Sequence, residues 1–239
     1  MNLIAFSQME SITAFFPCYN DARSIGSIVQ KAVKTLKKIT PNFEVIVIDD
    51  GSSDNSREVL VNLKRRYSEL KLIFHPSNRG YGGALISGFK NATKDLIFYT
   101  DGDGQYDVEE LANLVILMKK DVDFVNGIKI TRRDPLIRVV GGNLYNFVIR
   151  WFFWLPVFDI DCDFRLIRRR IIKKINLRST SGAICVELVK KCQKAGARFF
   201  QVSVRHHERL HGRSQFFRLN RLIHTSYELI LLRIELWIL

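Results

Sequence analysis

The sequence predicts an α/β protein, in which a mainly parallel sheet carries helices on both faces. Short apolar runs rich in β-branched and aromatic residues alternate, in the first half of the chain, with segments whose apolar residues recur at helical spacing. Acidic or glycine-containing turns follow several of these runs. Because the carboxyl ends of parallel strands meet at one edge of a sheet, we expect the turns at 17–21, 49–54 and 101–105 to converge.

Five strands and four helices are predicted before residue 129. Apolar residues from Ile25 to Leu36 mark the first helix, and those from Val59 to Leu63 mark the second. The third helix is short, begins in a glycine-rich turn and ends near Ala92. Asp107 and Glu110 have the spacing of a capping box, which predicts the start of the fourth. The predicted strands are 12–16, 43–48, 72–74, 96–100 and 122–128.

The composition changes near residue 129, where a balanced sequence becomes basic and aromatic. We interpret residues 1–214 as one domain with two halves, 1–128 and 129–214, and residues 215–239 as a tail. In the tail, apolar residues lie opposite Arg218 and Arg221, which is the pattern of an amphipathic helix at a membrane interface. These apolar residues are Phe216, Phe217, Leu219, Leu222 and Ile223.

The chain is strongly basic, with 37 Lys and Arg against 24 Asp and Glu and a net charge of +13. Much of the excess lies after residue 128, where arginines alternate with aromatic residues. Such a surface suits a nucleic acid, an anionic membrane or a phosphate-bearing substrate, and the charge alone does not distinguish these partners.

Cysteine usage and apolar segments bear on location. The four cysteines show neither a CxxC spacing nor a zinc-like pairing with histidine, which favours a reduced intracellular protein. The first residues are a poor signal peptide. The longest apolar stretches, 147–160 and 229–239, are interrupted by charges and fall short of the about 20 residues that span a bilayer. We expect a cytoplasmic protein that is peripheral at the cytoplasmic face of a membrane.

The segment 101–105 reads Asp-Gly-Asp-Gly-Gln and follows an apolar strand. Carboxylates at a strand end are suited to bind Mg²⁺ or Mn²⁺, which would bridge a diphosphate. Asp101 and Asp103 have a simpler alternative interpretation as turn formers, because Asp-Gly pairs favour tight turns. Tyr106 and Ala112 stand where an EF-hand loop requires glycine and glutamate, which excludes that type of site.

Two further strand ends carry polar groups suited to a nucleoside. Asp49, Asp50 and Gly51 follow the second strand, and carboxylates there would accept hydrogen bonds from ring N–H groups and ribose hydroxyls. A polar turn that caps the next helix is the alternative. The segment 17–21 ends the first strand in the same way, and its Tyr19 is placed to stack on a base.

The sequence gives little support for a dinucleotide-binding motif, a Walker motif or a histidine metal site. The glycine-rich turn at 80–83 is not a dinucleotide fingerprint, because the third glycine would fall at Leu85, and the chain has no Walker lysine motif. His206, His207 and His211 lie among arginines, which favours a solvated or phosphate-facing loop over a metal site.

Taken in order, these segments resemble the motifs of the family 2 glycosyltransferases, which have the Rossmann-like GT-A fold, and especially the polyprenyl-phosphate sugar transferases of the dolichyl-phosphate mannose synthase type. Residues 17–21 resemble a P-x-Y-N-E motif with Asp21 in place of Glu. Residues 44–54 resemble the nucleotide-binding strand and loop, 78–84 the N-x-G-x-G-x-A turn, and 101–105 the D-x-D-x-Q metal motif.

The resemblance continues in the second half of the chain with two departures. Residues 161–166 resemble a D-x-x-C-G-F-R motif in which Asp163 replaces the glycine. Arg209, Gly212 and Ser214 resemble an R-x-x-G-x-S-K motif in which Gln215 replaces the lysine.

The resemblance implies an inverting transfer of a sugar from a GDP- or UDP-sugar to a polyprenyl phosphate, in which residues 1–128 bind the donor and 129–214 the acceptor. The acceptor attacks the anomeric carbon opposite the departing diphosphate. The implied metal ligands are Asp101, Asp103 and Gln105. The implied donor-binding residues are Pro17, Tyr19, Asn20, Asp21, Asp49, Asp50, Gly51, Asp101 and Gly102.

The implied acceptor is already ionised near pH 7, so positioning by arginines would matter more than a strong base. The implied catalytic residues are Asp103, Arg138 and Arg209. The implied acceptor-phosphate residues are Arg132, Arg133, Arg138, Arg209 and Ser214. The segment Trp-Phe-Phe-Trp at 151–154, next to Arg150, is suited to seat a prenyl chain at an anionic membrane surface.

Three alternatives stay open. A transferase of the same fold that acts on a sugar or protein hydroxyl would need a base, for which Asp161 and Asp163 are the candidates. A basic nucleic-acid-binding module is consistent with the charge but not with acidic strand ends that converge, so we expect no nucleic-acid partner. The tail is equally suited to a membrane-protein partner or a second copy of the chain.

Overall fold

A computed structural model describes residues 10–130, 136–208 and 219–238. Within these residues, strands and helices alternate as predicted. The strands are β1 Ile12–Cys18, β2 Phe43–Asp49, β3 Leu70–Phe74, β4 Leu96–Thr100, β5 Phe124–Ile130, β6 Phe164–Arg168 and β7 Phe199–Arg205. The helices are α1 Ile25–Ile39, α2 Ser56–Lys64, α3 Gly80–Asn91, α4 Leu111–Leu117, α5 Leu136–Phe153, α6 Arg169–Ile172, α7 Ala183–Lys194 and α8 Leu219–Ile238. A short 3₁₀ helix, Val108–Glu110, precedes α4.

The strands form one seven-stranded sheet in the order β3-β2-β1-β4-β6-β5-β7. All neighbours are parallel except β6, which is antiparallel to both β4 and β5. The mainly parallel sheet and its first five strands are therefore confirmed. β6 and β7 were not predicted from the sequence; they extend the same sheet with strands from the second half of the chain.

Helices cover both faces of the sheet, as predicted. Successive side chains of a strand point to opposite faces, so Phe16 of β1 belongs to a core that includes residues of α1, α2 and α4. Phe15 belongs to a second core, which includes residues of α3, α5, α7 and α8. Every residue of β1 is buried. Such two-sided burial explains why the central strands read as continuous apolar runs rather than alternating ones.

The order of the strands reverses at β1: β2 and β3 extend the sheet on one side of it, and β4 lies on the other side. A crevice at the carboxyl ends of the strands is the usual ligand site at such a switch point. Cys18 of β1 is paired with Asp49 of β2, and the amide of Asp50 donates to the carbonyl of Cys18 at 2.9 Å. The ends of β1 and β2 are thus held together at this edge.

The predicted C-terminal helix is confirmed as α8, which packs on α7. Leu229 and Leu232 are buried in this contact, and Lys191 of α7 pairs with Glu235 of α8 at 3.1 Å. Among the described residues, no helix has the length and apolar character needed to cross a membrane.

All four cysteines are buried and free. Burial raises the pKa of Cys18, Cys162 and Cys192 to about 12, so these thiols stay protonated near neutral pH. A protonated thiol is a poor nucleophile, so burial disfavours nucleophilic chemistry at these three cysteines.

Candidate active site

One asparagine links the loop after β1 to the loop after β2 by hydrogen bonds. Asn20 has a left-handed backbone with φ of 59°, a conformation that asparagine tolerates better than most residues. Its Oδ1 accepts hydrogen bonds from the amides of Ser53 at 2.8 Å and Asp54 at 3.3 Å. The amide of Asn20 in turn donates to Ser52 Oγ at 3.0 Å. Two of the three predicted loops therefore form one unit.

Asp49 is fully buried at the end of β2 and is engaged by the protein itself. Its Oδ2 accepts from Arg57 Nε at 2.6 Å, and its Oδ1 accepts from the amide of Ser52 at 3.3 Å. Arg57 also donates to the carbonyl of His75 at 2.7 Å. The carboxylate thus ties the loop after β2 to the segment after β3.

Asp50 is buried beside a histidine that the sequence analysis did not single out. Asp50 Oδ1 lies 2.6 Å from His75 Nδ1 and accepts from the amide of Arg79 at 2.9 Å. His75 Nε2 lies 2.9 Å from Ser87 Oγ on α3. His75 is 4% exposed, so this chain of polar contacts is internal and braces the Asp50 carboxylate from behind.

The third loop carries the two predicted metal ligands. Asp101 Oδ1 accepts a hydrogen bond from the hydroxyl of Tyr81 at 2.8 Å. Asp103 is 6% exposed, and its Oδ1 accepts from the amide of Gln105 at 3.0 Å. Burial, together with the charge of Asp101, raises the pKa of Tyr81 well above its ordinary value, so its hydroxyl remains a donor.

This acidic loop is held against β1 through Gly102. A Cβ atom at this position would lie within 3.0 Å of the carbonyl oxygen of Pro17, closer than Cβ atoms approach other atoms. Only glycine therefore permits the observed contact between the ends of β1 and β4. The three predicted loops converge on one edge of the sheet, as expected from the sequence.

The segment after β7 lies alongside the acidic loop, a neighbour that the sequence analysis missed. The amide of His207 donates to the carbonyl of Gln105 at 2.8 Å, and Gln105 Nε2 donates to the carbonyl of His207 at 3.0 Å. The rings of Tyr106 and His206 pack edge to face with centroids 5.0 Å apart. In the part of the chain that the structure describes, no three His, Cys, Asp or Glu side chains are grouped to hold a metal ion.

A second polar cluster lies behind the site, around the fully buried Arg165. Its guanidinium donates to Asn126 Oδ1 at 2.9 Å and to the hydroxyl of Tyr99 at 2.6 Å, and lies 3.6 Å from a carboxylate oxygen of Asp163. Asp163 also accepts from Cys185 Sγ at 3.3 Å. These contacts give Asp163 a structural role as the partner of a buried cation.

Asp161 lies in a different environment from Asp163. Its Oδ2 accepts from Asn146 Nδ2 at 3.4 Å, and its carbonyl accepts from Lys129 Nζ at 2.9 Å. Burial raises the pKa of Asp161 to about 6; Lys129 opposes this shift, and Asp159 and Asp163 add to it. Of the two aspartates considered as a catalytic base, Asp161 is the one whose environment suits that role.

The predicted acceptor residues fall largely on parts of the chain that the structure does not describe. Arg132, Arg133, Arg209 and Ser214 lie outside the described residues. Arg138 belongs to α5, but its side chain is also outside them. Their roles stay predictions.

The interpretation of the second-half arginines as one basic surface needs a correction. Arg165 is fully buried, and Arg168, 8% exposed, donates to the carbonyl of Val122 at 2.8 Å and pairs with Glu10. Both arginines belong to β6, where the sheet core surrounds them and internal acceptors satisfy their charge. They contribute nothing to a surface for an anionic partner.

Residues 13–176 match the family model described as Glycosyl transferase family 2. The chain belongs to this family, as the ordered motifs predicted. Among its relatives is the undecaprenyl-phosphate 4-deoxy-4-formamido-L-arabinose transferase of Yersinia pestis (strain Pestoides F), which is 30% identical over 227 residues. The alignment covers 93% of this chain and 67% of that relative, and the protein of the same description from Yersinia enterocolitica is similarly related.

Solved structures share the fold at low sequence identity. A mannosyltransferase from Pyrobaculum calidifontis, in complex with GDP-Man and Mn²⁺, aligns with a TM-score of 0.68 at 20% identity, over 94% of this chain and 65% of that one. The glucosyl-3-phosphoglycerate synthase of Mycobacterium tuberculosis, in complex with Mn²⁺, UDP and phosphoglyceric acid, aligns with a TM-score of 0.71 at 16% identity, over 95% and 78%. The predicted GT-A fold is confirmed, and the chain spans about two thirds of the length of the first of these structures and of its curated relatives.

Proposed function

We propose that the chain transfers a sugar, with inversion, from a GDP- or UDP-sugar to a polyprenyl phosphate at a membrane surface. The observation that carries the proposal is the convergence of the loops after β1, β2 and β4, which Asn20 and Gly102 hold together. The Yersinia relative named for an undecaprenyl-phosphate acceptor supports this class of acceptor.

Asp101, Asp103 and Gln105 would hold Mg²⁺ or Mn²⁺. The donor set fits such an ion, because carboxylate and amide oxygens are the hard ligands that both ions prefer. Hydrogen bonds from Tyr81 and from the amide of Gln105 fix the two carboxylates in advance. A bound ion would neutralise charge on the departing diphosphate. Because Mg²⁺ sites commonly use one or two carboxylates with substrate phosphates, a larger protein cluster is not required.

The donor nucleotide would lie against the loops after β1 and β2. Pro17 at the end of β1 would contribute with Tyr19 and Asp21 of the first loop. Asp50 and Gly51 would contribute from the second loop, and Asn20, Asp49 and Gly102 would hold these segments in register. Internal hydrogen bonds already set the shape of both loops, so binding would cost little further ordering.

The acceptor phosphate would be bound by Arg132, Arg133, Arg138 and Arg209 with Ser214. A phosphate monoester carries negative charge near neutral pH, so these residues need only hold its oxygen in line with the anomeric carbon. Asp103, Arg138 and Arg209 are the residues to which we assign the largest effects on turnover.

The lipid chain would meet an exposed aromatic face, formed by Phe147 and Trp151 of α5 with Trp154 and Phe158 after it. The first three are at least 70% exposed, and Arg150 lies over the ring of Phe158 with its Cζ atom 4.0 Å from the centroid. Exposed aromatic rings flanked by arginine suit the interface of an anionic membrane.

Helix α8 would extend this surface. Arg233 of α8 lies over Phe152 of α5, with its Cζ atom 5.2 Å from the ring centroid, so the two helices are neighbours. An apolar stripe at helical spacing remains exposed on α8 and comprises Ile223, Tyr227, Ile230 and Ile234. We assign the protein a peripheral position at the cytoplasmic face of a membrane. A membrane-protein partner or a second copy are the alternative occupants of the α8 stripe.

The test is a panel of GDP- and UDP-sugars, each offered with Mg²⁺ or Mn²⁺ and a polyprenyl phosphate, with analysis of the product and its anomeric configuration. Asp103→Asn and Arg209→Ala should each lose at least 100-fold in turnover, a loss typical of removed transition-state contacts. Arg205→Ala, at an exposed arginine that pairs with Glu110, is the matched control for Arg209. Transfer that persists in Asp103→Asn would contradict the metal assignment, and steep salt-dependent DNA binding without transfer would favour the nucleic-acid alternative.

Transfer to a hydroxyl group is the second candidate, and the raised pKa of Asp161 favours it. A base with a pKa of about 6 is deprotonated near neutral pH, so transfer should fall below pH 6. A lipid phosphate titrates in the same range, and the pH profile alone therefore does not separate the candidates. Asp161→Asn should abolish transfer to a hydroxyl but leave transfer to a phosphate within a few-fold of wild type.

A further inference from the structure

Helix α8 is tied to one loop of the protein by a single carboxylate. Glu228 accepts four hydrogen bonds from the segment 180–181: from the amide and hydroxyl of Thr180, both at 2.9 Å, and from the amide and hydroxyl of Ser181, at 2.9 and 2.6 Å. Burial alone would raise the pKa of Glu228, but these hydrogen bonds outweigh it and lower that pKa. The carboxylate is therefore ionised at neutral pH, and α8 holds this loop firmly.

The same loop lies directly on the first turn of α3. The amide of Gly82 donates to the carbonyl of Thr180 at 2.9 Å. A Cβ atom at Gly82 would lie within 3.0 Å of the carbonyl oxygen of Ser179, and one at Gly80 would lie 2.5 Å from that of Thr180. Gly80 also has a φ of +83°. The glycines thus permit a backbone contact that would otherwise be impossible.

Tyr81 stands between these two glycines and reaches the metal motif. Its hydroxyl donates to Asp101 Oδ1 at 2.8 Å. A continuous series of contacts therefore runs from Glu228 through Thr180 and Gly82 to Tyr81 and Asp101. Groups that hydrogen-bond a metal-ligating carboxylate fix its orientation, and their loss commonly weakens metal binding about 10- to 100-fold.

We propose that Tyr81 and Glu228 are positioning residues of the metal site, and that α8 sets the orientation of the Asp101 carboxylate through the loop 179–181. This inference rests on the proposed function, which makes Asp101 a metal ligand. It gives the C-terminal helix, whose exposed stripe we assign to a membrane or a partner, a physical connection to the catalytic edge.

The test measures Mn²⁺ binding to the full chain at a fixed concentration of GDP or UDP, by electron paramagnetic resonance of the free ion, with the same nucleotide without protein as the baseline. Tyr81→Phe should weaken Mn²⁺ binding about 10-fold, and Glu228→Ala by a similar factor. Glu228→Gln, which keeps one acceptor oxygen but loses the charge, should have a smaller effect. Glu58→Gln is the matched control, because it removes the same charge from an exposed side chain of α2. Thermal unfolding of each variant separates altered binding from loss of fold.

The decisive comparison is the double variant. If Glu228 acts through Tyr81, Glu228→Gln should change Mn²⁺ affinity no further in the Tyr81→Phe background. Effects that multiply, or an effect of Glu228 no larger than that of Glu58, would overturn the inference. If wild type binds no Mn²⁺, or Asp103→Asn binds it as well as wild type, the proposed metal site itself is wrong. The inference alone fails if Asp103→Asn abolishes binding and the Tyr81 and Glu228 variants do not weaken it.

Discussion

Single glycines determine how closely the loops of the catalytic edge approach one another. At Gly51, which has a φ of +75°, a Cβ atom would lie 2.7 Å from the amide nitrogen of Asn78. At Gly102 it would meet the carbonyl of Pro17. In both cases the obstructing atom belongs to the backbone and cannot rotate away, so a larger residue must displace one of the two backbone segments.

Replacing Gly102 by alanine should therefore destabilise the protein, by about 1–3 kcal/mol as for other overpacked sites. Gly141→Ala is the control, because a Cβ atom there has no neighbour within 4 Å and the position is an exposed turn of α5. That substitution should be neutral or stabilise by up to about 1 kcal/mol, the difference in helix propensity. Urea unfolding measures both, and equal effects would contradict the steric argument.

Glu44 makes stability depend on acid pH. Burial alone would raise its pKa, but hydrogen bonds from Lys71, Thr13 and Thr93 outweigh this effect and lower the pKa from 4.5 to about 2. A carboxyl whose pKa is lower in the folded protein stabilises it above the unfolded pKa and loses that contribution as the pH falls. Between pH 4.5 and 2, the loss should reach about 3 kcal/mol at most.

The free energy of unfolding, measured against pH in urea, tests this contribution. Glu44→Gln should be less stable at neutral pH and should flatten the acid limb of the profile. The exposed Glu58→Gln is the control and should follow wild type. If Glu44→Gln loses stability at acid pH as wild type does, Glu44 is not the source of this pH dependence.

Short motifs predicted the carboxylates at the strand ends better than the residues that hydrogen-bond them. Asp49, Asp101 and Asp103 follow apolar strands and are visible in the sequence as strand-end carboxylates. His75 and Tyr81 are single residues without a pattern, and only the fold brings them to Asp50 and Asp101. Their positions depend on long-range contacts that no local spacing encodes.

At the scale of elements, the first five strands were predictable because each is an apolar run that ends in a polar turn. β6 was not, because its sequence Phe-Arg-Leu-Ile-Arg contains two arginines, which normally indicate exposure. Asn126, Tyr99 and Val122 accept hydrogen bonds from these arginines, and the acceptors come from two segments, one at β4 and one at the start of β5. The cost of burying the charge is thus offset by partners that the sequence does not place nearby.

The aromatic face of α5 should control membrane binding. Replacing both Trp151 and Trp154 by alanine should weaken binding to vesicles at least 10-fold, since burial of one large apolar side chain contributes about 1.5–3 kcal/mol. Ile116→Ala is the control, because Ile116 is 71% exposed on α4, on the opposite face of the sheet. Cosedimentation with vesicles measures both. Equal binding of the tryptophan variant and wild type would contradict the location of the membrane surface.

At the scale of the whole molecule, the positive residues behind the net charge of +13 lie in different environments. Arg165 and Arg168 are buried in the fold, whereas Arg150 and Arg233 lie beside exposed aromatic rings. The acidic loops occupy the carboxyl edge of the sheet. The net charge alone therefore does not reveal which arginines are buried, and that information had to come from the structure.

This distribution predicts how the protein responds to lipid charge and salt. Arginines beside exposed aromatic rings should favour anionic over neutral vesicles, with attraction contributing roughly 1 kcal/mol per basic residue near the membrane. Raising the salt concentration from about 0.1 M to about 1 M shortens the Debye length from about 10 Å to about 3 Å. The preference for anionic lipid should then largely disappear, while the apolar contribution to binding persists.

Cosedimentation at both salt concentrations measures the two contributions. The Trp151 and Trp154 double variant should lose the residual binding but keep the salt-sensitive preference, because its arginines are intact. Equal binding to neutral and anionic vesicles at low salt would contradict the electrostatic part of this prediction.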